Sequence, residues 1–107
     1  MIVVLNLFDL VPGKQADYTE YLDRVQAILA RHGAEVLFYG QIRAIFKGRA
    51  SQEYCGVIGY PDMDALRAFS HDPDFIAIHK LRDESTTNYV LSVYEETGEK
   101  GTLSIGI

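Results

Sequence analysis

His79 and Arg82 are the two residues in this sequence whose types and spacing best suit chemistry on a small molecule. They stand three residues apart in a stretch with helical periodicity, so both side chains are expected on one helix face. Arg82 would supply a forked donor that holds a carboxylate or an enolate, and His79 would act as acid or base. The alternative is structural, with Arg82 paired to Asp83, Glu84 or a strand acid and His79 packed at the edge of a cleft.

Tyrosines are the second chemical feature, with seven in 107 residues. Tyr39 and Tyr60 fall on predicted strands, and apolar rings with hydroxyl tips suit a planar organic ligand. Asn6 is a polar residue in an otherwise apolar strand, where a buried amide must find partners or face a cavity. We predict one site in which His79 and Arg82 are catalytic. Its substrate-binding residues are Asn6, Tyr39 and Tyr60, with ordinary packing as the alternative for each residue taken singly.

Other candidate chemistry is weaker. His32 ends the first helical stretch, where a basic group suits the helix dipole, and His71 lies between two helical pieces. The chain has no HxH, HExxH or CxxC spacing, no GxGxxG motif and no Walker loop, so the sequence predicts no metal site and no cofactor. Haem bound through a lone histidine stays open as a third hypothesis.

Composition limits the class of protein. A chain of 107 residues makes one domain, and a net charge of -5 disfavours a nucleic-acid partner. No apolar run reaches the ~20 residues of a membrane span, and Met1 leads into a strand-like run with no signal-peptide pattern. The single cysteine, Cys55, excludes an internal disulfide and fits a reducing compartment. We therefore expect a cytoplasmic protein that binds neither membranes nor nucleic acids.

The hydrophobic pattern alternates between strand and helix periods. Strands are expected at residues 2–10, 35–47, 53–60 and 88–95, and helices at residues 14–32, 62–70 and from residue 72 onwards. Gly40 suggests a bulge in the second strand, while Gly56 and Gly59 leave gaps in the third where a ligand or another backbone could approach. This order predicts the α+β class: a ferredoxin-like βαββαβ fold with a four-stranded antiparallel sheet and helices on one face.

The last predicted strand has no polar face. Its residues alternate between two apolar sets, Tyr89, Leu91 and Val93 on one side and Val90 and Tyr94 on the other. Helices on one side of a four-stranded sheet would leave a larger apolar patch on the opposite side than a monomer normally tolerates. We therefore predict a homodimer formed by back-to-back packing of two sheets.

The domain is expected to span residues 1–95, followed by a tail at residues 96–107. Leu103, Ile105 and Ile107 alternate in the tail, which predicts a short extra strand at a sheet edge, either the chain's own or its partner's. A frayed terminus is the alternative.

A set of short motifs runs in order through most of the chain. They are Tyr18 with Tyr21-Leu22, His32-Gly33, Val36-Leu37, Tyr60-Pro61, Phe69, Asp72-Pro73-x-Phe75, and His79 with Arg82. By their order and spacing, residues 1 to about 95 resemble the DUF1330 family of the dimeric α+β-barrel superfamily. The chain departs from the family pattern in its short turn at residues 32–34, which is glycine-rich in the family, and in its tail.

The resemblance implies a homodimer whose two four-stranded sheets pack face to face. It also implies a cleft between helices and sheet, where related proteins bind small organic molecules. Relatives in the superfamily include cofactor-free monooxygenases of aromatic polyketides, lactone isomerases and dye-decolourising haem enzymes, and no catalytic residues carry over. We expect a cofactor-free enzyme of monooxygenase or isomerase type, acting on a small organic acid or phenol in an apolar cleft. The alternative is a non-catalytic module for ligand binding or assembly.

Overall fold

The computed structural model describes residues 1–97, which form four strands and three helices. In chain order these are β1 (Ile2–Leu10), α1 (Gln15–Arg31), β2 (Glu35–Gln41), β3 (Tyr54–Tyr60), α2 (Met63–Ser70), α3 (Pro73–Ser85) and β4 (Thr86–Glu95). The strands make one antiparallel sheet in the order β2-β3-β1-β4. The predicted α+β, ferredoxin-like fold is therefore confirmed. The strand predicted in the tail, at Leu103, Ile105 and Ile107, lies outside the described residues.

β1 is a central strand, and its two faces have different surroundings. Ile2, Val4, Asn6 and Phe8 point towards the helices and are buried, while the intervening residues are half-buried on the opposite face. The alternation follows from the two-residue period of a strand. β1 thus carries the floor of the core on one side and an apolar surface on the other.

The helices build the core above this floor. α1 buries the apolar stripe that its sequence period predicts, and α3 packs against α1 and β4. α2 contributes Phe69, whose ring centroid lies 4.2 Å from that of Phe75 on α3. Each large apolar side chain buried in this way stabilises the fold by roughly 1.5–3 kcal/mol. No helix within residues 1–97 is both long and apolar enough to cross a bilayer.

β2 is shorter than predicted. The sequence predicts a strand to Lys47, but β2 ends at Gln41 because its neighbour β3 begins only at Tyr54. Ile42 donates one last backbone hydrogen bond to Glu53 at 2.7 Å, after which the chain forms an irregular loop. Strand composition in residues 42–46 was misleading, since a strand requires a hydrogen-bonding neighbour.

The bulge predicted at Gly40 lies elsewhere. The register between β2 and β3 shifts between Val36 and Phe38, and Gly40 instead provides room for the Phe38 ring. A β-carbon at Gly40 would lie 2.7 Å from that ring, closer than any real contact. The gap predicted at Gly59 is also occupied, because Leu37 from the neighbouring strand packs over it.

β4 starts two residues earlier than predicted, at Thr86, and is irregular at Asn88. Asn88 has φ of 53°, and the register with β1 shifts opposite it, between Leu7 and Asp9. Asparagine tolerates this left-handed conformation better than most residues, and its side chain donates to the Ser51 carbonyl at 2.8 Å. Asn88 therefore forms a β-bulge, and its side chain links the end of the sheet to the loop that follows β2.

The sheet face opposite the helices is not covered by any part of residues 1–97. Phe38, Val90 and Tyr94 are 57%, 44% and 55% exposed on this outer face. The loop after β2 adds the exposed Ile45 and the fully exposed Phe46. Within residues 1–97, the expectation that one chain leaves an apolar sheet face exposed is thus confirmed. Such a surface is typical of an interaction site.

Two aspartates cap the second and third helices, as predicted. Asp62 accepts a hydrogen bond from the backbone of Ala65 at 2.8 Å, and Asp72 accepts one from the backbone of Asp74 at 2.9 Å. Each carboxylate thus accepts one of the backbone N–H groups that have no partner within the first turn of the helix.

Asp72 also ties α1 to α3. Its Oδ2 atom lies 2.6 Å from an Arg31 guanidinium nitrogen and 2.7 Å from His32 Nε2, at the end of α1. The hydrogen bond from His32, followed by that from Arg31, lowers the pKa of Asp72 well below its ordinary value. A single carboxylate therefore both caps one helix and fixes the end of another.

We expect Asp72→Asn to lower the Tm at neutral pH, because the amide keeps a capping oxygen but loses the charge. An Asp with a depressed folded-state pKa stabilises the fold above the unfolded-state pKa of about 3.9 and loses this contribution as the pH falls. The Tm gap between wild type and variant should therefore shrink on acidification below about pH 4. Circular-dichroism melts across this range measure the gap.

The matched control is Asp62→Asn, which changes a cap that has no ion pair with any residue of 1–97. Its Tm difference from wild type should be smaller at neutral pH and depend less on acidification. A larger effect for Asp62→Asn than for Asp72→Asn would contradict the role given to Asp72.

Candidate functional site

A cavity of about 810 Å³ lies between the helices and the inner face of the sheet. Its size falls in the range of small-molecule sites in proteins. The walls are mainly apolar and aromatic, and among the described residues that line it there is no Asp or Glu, while Arg82 is the single Arg or Lys. Charge complementarity therefore favours an anionic or electron-rich ligand over a cation.

The structure brings all five residues of the predicted site to this cavity. They come from β1, β2, β3 and α3, and they are Asn6, Tyr39, Tyr60, His79 and Arg82. Three further tyrosines that the sequence did not assign to the site also line it: Tyr18, Tyr21 and Tyr89. The sequence does indicate that these residues face the core, since Tyr18 and Tyr21 lie on the apolar stripe of α1 and Tyr89 alternates with Leu91 along β4.

Arg82 is held between two aromatic rings. Its guanidinium carbon lies 5.7 Å from the centroid of Phe75 and 5.4 Å from that of Tyr89. These distances are typical of cation–π contacts, which are stronger when the cation is partly desolvated. The Arg82 side chain is 17% exposed, so most of the cation is shielded from water.

Arg82 also has a carboxylate partner, as the structural alternative predicted. Its Nε and Nη2 atoms lie 3.2 Å from one oxygen of Asp83. Asp83 is 62% exposed and does not line the cavity. Because an ion pair with a solvated carboxylate contributes about 0–1 kcal/mol, it leaves the guanidinium available to a second anion on the cavity side.

The tyrosine hydroxyls of the cavity remain protonated at neutral pH. In each of them burial is the main cause that raises the pKa, namely in Tyr18, Tyr21, Tyr39, Tyr60 and Tyr89. For Tyr21 the nearby Arg82 opposes this effect by favouring the phenolate. A neutral phenol is a hydrogen-bond donor as well as an acceptor, so these groups suit a ligand that carries oxygen acceptors.

An aromatic group closes one end of the cavity around Phe8. Its ring centroid lies 5.3 Å from that of Tyr18 and 5.2 Å from that of Tyr89. The hydroxyls of Tyr18 and Tyr39 hydrogen-bond to each other, which joins α1 to the edge strand β2. Gly56 permits this arrangement, because a β-carbon there would lie 3.2 Å from the Tyr39 ring.

Asn6 has both of its polar atoms engaged by the protein. Its Nδ2 donates to the Gly56 carbonyl at 3.2 Å, and its Oδ1 accepts from the Tyr89 hydroxyl at 2.8 Å. Both outcomes expected for a buried amide thus occur, since Asn6 lines the cavity and its amide also holds its neighbours. Asn6 orients Tyr89, and through that ring it supports Arg82.

The three histidines differ in their surroundings. His79 lines the cavity with its ring edge against Phe75, at a centroid distance of 4.4 Å and an interplanar angle of 74°. His32 is bonded to Asp72, and His71 Nδ1 lies 2.8 Å from the Arg67 carbonyl, both away from the cavity. Within residues 1–97, no three His, Cys, Asp or Glu side chains form a cluster that could ligate a metal.

Solved structures with the same fold cover most of the chain. RPA0582 from Rhodopseudomonas palustris, a protein of unknown function, has a TM-score of 0.79 at 20% identity, over 92% of this chain and 83% of that one. A dimeric ferredoxin-like protein of unknown function from Jannaschia sp. CCS1 has a TM-score of 0.75 at 15% identity, over 89% of this chain and 98% of its own. SnoaB, a cofactor-independent oxygenase from Streptomyces nogalater, has a TM-score of 0.66 at 17% identity, over 94% and 96%.

At these identities the structural likeness shows the fold alone. The curated proteins gave no match. A family model does match, and it covers residues 6–95, which include every residue of the predicted site. The chain therefore belongs to the family described as a domain of unknown function, DUF1330.

Proposed function

We propose that the protein binds a small planar organic anion, a carboxylate or an ionised phenol, in the cavity of each subunit of a homodimer. The observation that carries this proposal is the charge of the cavity: one shielded guanidinium, several neutral phenols and no carboxylate among its described lining residues. Arg82 pairs with the anion, while Tyr39 and Tyr60 contact the rest of the ligand. Asn6 acts through Tyr89, whose ring supports Arg82.

The apolar walls make the charge pairing more favourable than it would be in water. A charge-assisted hydrogen bond contributes roughly 1.5–3 kcal/mol in a protein, and it strengthens where water is excluded. The forked geometry of Arg82 suits two oxygens of one carboxylate, which a lysine would not match. Planar ligands fit because aromatic rings form much of the lining.

A reporter phenol tests the pairing directly. We expect 4-nitrophenol to titrate at lower pH when bound than when free, because Arg82 stabilises the phenolate and so lowers its pKa. The yellow absorbance of the anion, recorded against pH with protein in excess, measures the shift. Arg82→Gln should abolish the shift and weaken binding by about 10-fold or more.

The matched control is Arg67→Gln on α2, which removes an arginine whose side chain is 64% exposed and outside the cavity. It should bind 4-nitrophenol as the wild type does, with the same shift. Equal affinity in the wild type and Arg82→Gln would show that the guanidinium does not hold the anion.

A cofactor-free enzyme is the second candidate, and the specific observation for it is the shared fold with a cofactor-independent oxygenase. In this reading His79 removes a proton from an acidic C–H or O–H group, and Arg82 holds the resulting enolate or phenolate. An isomerase returns the proton at another carbon. A monooxygenase adds molecular oxygen at a methylene carbon, so that one oxygen atom becomes a carbonyl and the other leaves as water with the two hydrogens.

Exchange of hydrogen for deuterium separates this enzyme from a binding module. We expect the wild type to catalyse exchange of the acidic C–H of a bound enolisable acid, and His79→Ala to lose about 10²-fold of that rate with ligand affinity retained. Proton NMR in D₂O follows the exchange. His71→Ala, which changes a histidine outside the cavity, should keep the wild-type rate. No exchange above background in the wild type favours the non-catalytic module.

The homodimer rests on the open sheet face. Its apolar residues on the outer face of β1, β2 and β4 need cover, and two copies of one sheet can supply it to each other. A solved structure with the same fold is described as dimeric. The face-to-face arrangement also leaves the helices, and with them the cavity, on the outside of the assembly.

We expect the wild type to sediment as a dimer at micromolar concentration and Val90→Lys to sediment largely as a monomer. Val90 lies on the outer face of β4, where a lysine would bring an unpaired charge into the interface. The control is Ile76→Lys, which changes an aliphatic residue of similar exposure, 53%, on α3. Dissociation by Ile76→Lys with Val90→Lys still dimeric would place the interface on the helices instead.

A further inference from the structure

Tyr60 carries a hydroxyl group that the structure leaves without a protein partner among residues 1–97. The residue ends β3, lines the cavity and is 2% exposed. Its ring packs on Phe69 at a centroid distance of 5.8 Å. Burial, followed by a repulsive effect of nearby Tyr21, raises its pKa, and no hydrogen bond contributes.

The Tyr60 hydroxyl keeps a small accessible area, and the residue lines the cavity. Within the described part of the chain, no side-chain oxygen or nitrogen is both fully sealed and without a hydrogen-bond partner. The small exposed area of Tyr60 must therefore include its hydroxyl oxygen. A buried polar group without a partner is costly, and tyrosine hydroxyls in buried positions usually find one. This hydroxyl can find its partner in a ligand.

Tyr60 and Arg82 approach the cavity from different ends of the sheet. Tyr60 pairs with Ile2 at one end of β1, whereas Arg82 lies over Tyr89, whose ring stacks on Phe8. Ile2 and Phe8 are six residues apart on one strand, or about 20 Å along its axis. The strand position that carries Tyr60 and the one beneath Arg82 are thus set apart along the strand direction.

We propose that Tyr60 determines the ligand specificity of this cavity by donating a hydrogen bond to a second oxygen of the ligand, distant from the anion at Arg82. The inference rests on the proposed function and narrows its ligand class. The ligand is an elongated planar anion of at least two fused rings, with an ionised group at one end and a neutral carbonyl or hydroxyl oxygen at the other.

Two naphthoates and three variants test this inference. The probes are 2-naphthoate and 6-hydroxy-2-naphthoate, which differ in one oxygen at the end remote from the carboxylate. We expect the wild type to bind the hydroxylated compound at least about 10-fold more tightly, because a site built to bond an oxygen disfavours the analogue that lacks it. Tyr60→Phe should erase this preference by weakening the hydroxylated compound alone.

Two control variants show whether the preference depends on the Tyr60 hydroxyl itself or on any change in or near the cavity. Tyr54→Phe removes a hydroxyl from a ring that stacks on Phe8 without lining the cavity, and it should keep the wild-type preference. Arg82→Gln should weaken both naphthoates by the same factor. Isothermal titration calorimetry measures all affinities.

The Tm of the ligand-free protein gives an independent measure. Tyr60→Phe should melt at the wild-type temperature or higher, because the lost hydroxyl had no partner to leave unsatisfied. A clear fall in the Tm would show that the protein itself bonds this hydroxyl, and would overturn the inference.

The outcomes distinguish the two proposals. Binding that depends on Arg82, with the preference for the hydroxylated compound absent in the wild type or unchanged in Tyr60→Phe, overturns the role of Tyr60 and leaves the anion site standing. Failure of both naphthoates to bind the wild type overturns both.

Discussion

A sheet with apolar side chains on both faces requires cover on both, and the described residues 1–97 supply it on only one. The three helices pack over the middle of the inner face, where Val4 and Ile2 are buried, but the inner sides of the edge strands remain open at Val36 and Leu91. The cavity occupies the space where helix cover runs short. The cavity and the bare outer face thus have one physical origin, which is the excess of apolar sheet surface over the helices available to bury it.

Much of the fold was predictable because each element satisfies a local rule. α1 and α2 follow their apolar period, the carboxylates of Asp62 and Asp72 cap α2 and α3, and β1 alternates cleanly. The predictions were wrong where hydrogen bonding between strands determines where a strand begins or ends. Residues 42–46 have strand composition, but after the Ile42 bond to Glu53 no strand within residues 1–97 pairs with them. β4 begins early because the bulge at Asn88 lets its pairing with β1 continue. Hydrogen-bond partners distant in sequence are invisible to periodicity.

For the candidate site, the residues were predictable from the sequence but the contacts between them were not. Residue type indicated Asn6, residue type and spacing indicated His79 and Arg82, and all three residues line one cavity. Their partners were not predictable, since the Tyr89 hydroxyl that Asn6 accepts from is 83 residues away in sequence. The orientation of Arg82 between two rings depends on where helix α3 lies against the sheet. The Tyr60 hydroxyl, which has no partner within residues 1–97, depends likewise on where β3 ends in space. Such features follow from tertiary packing.

The amide of Asn6 has a consequence for how the sheet assembles. It sits on the central strand and bonds at once to the backbone of β3 and to a side chain of β4. A shift of either neighbouring strand by one residue would move those partners away from the amide. The amide would then be buried without a hydrogen bond, at a free-energy penalty of roughly 1–3 kcal/mol. Valine or leucine at the same position would tolerate several alignments almost equally. One polar residue in an apolar strand thus favours the correct register of its two neighbouring strands over shifted ones.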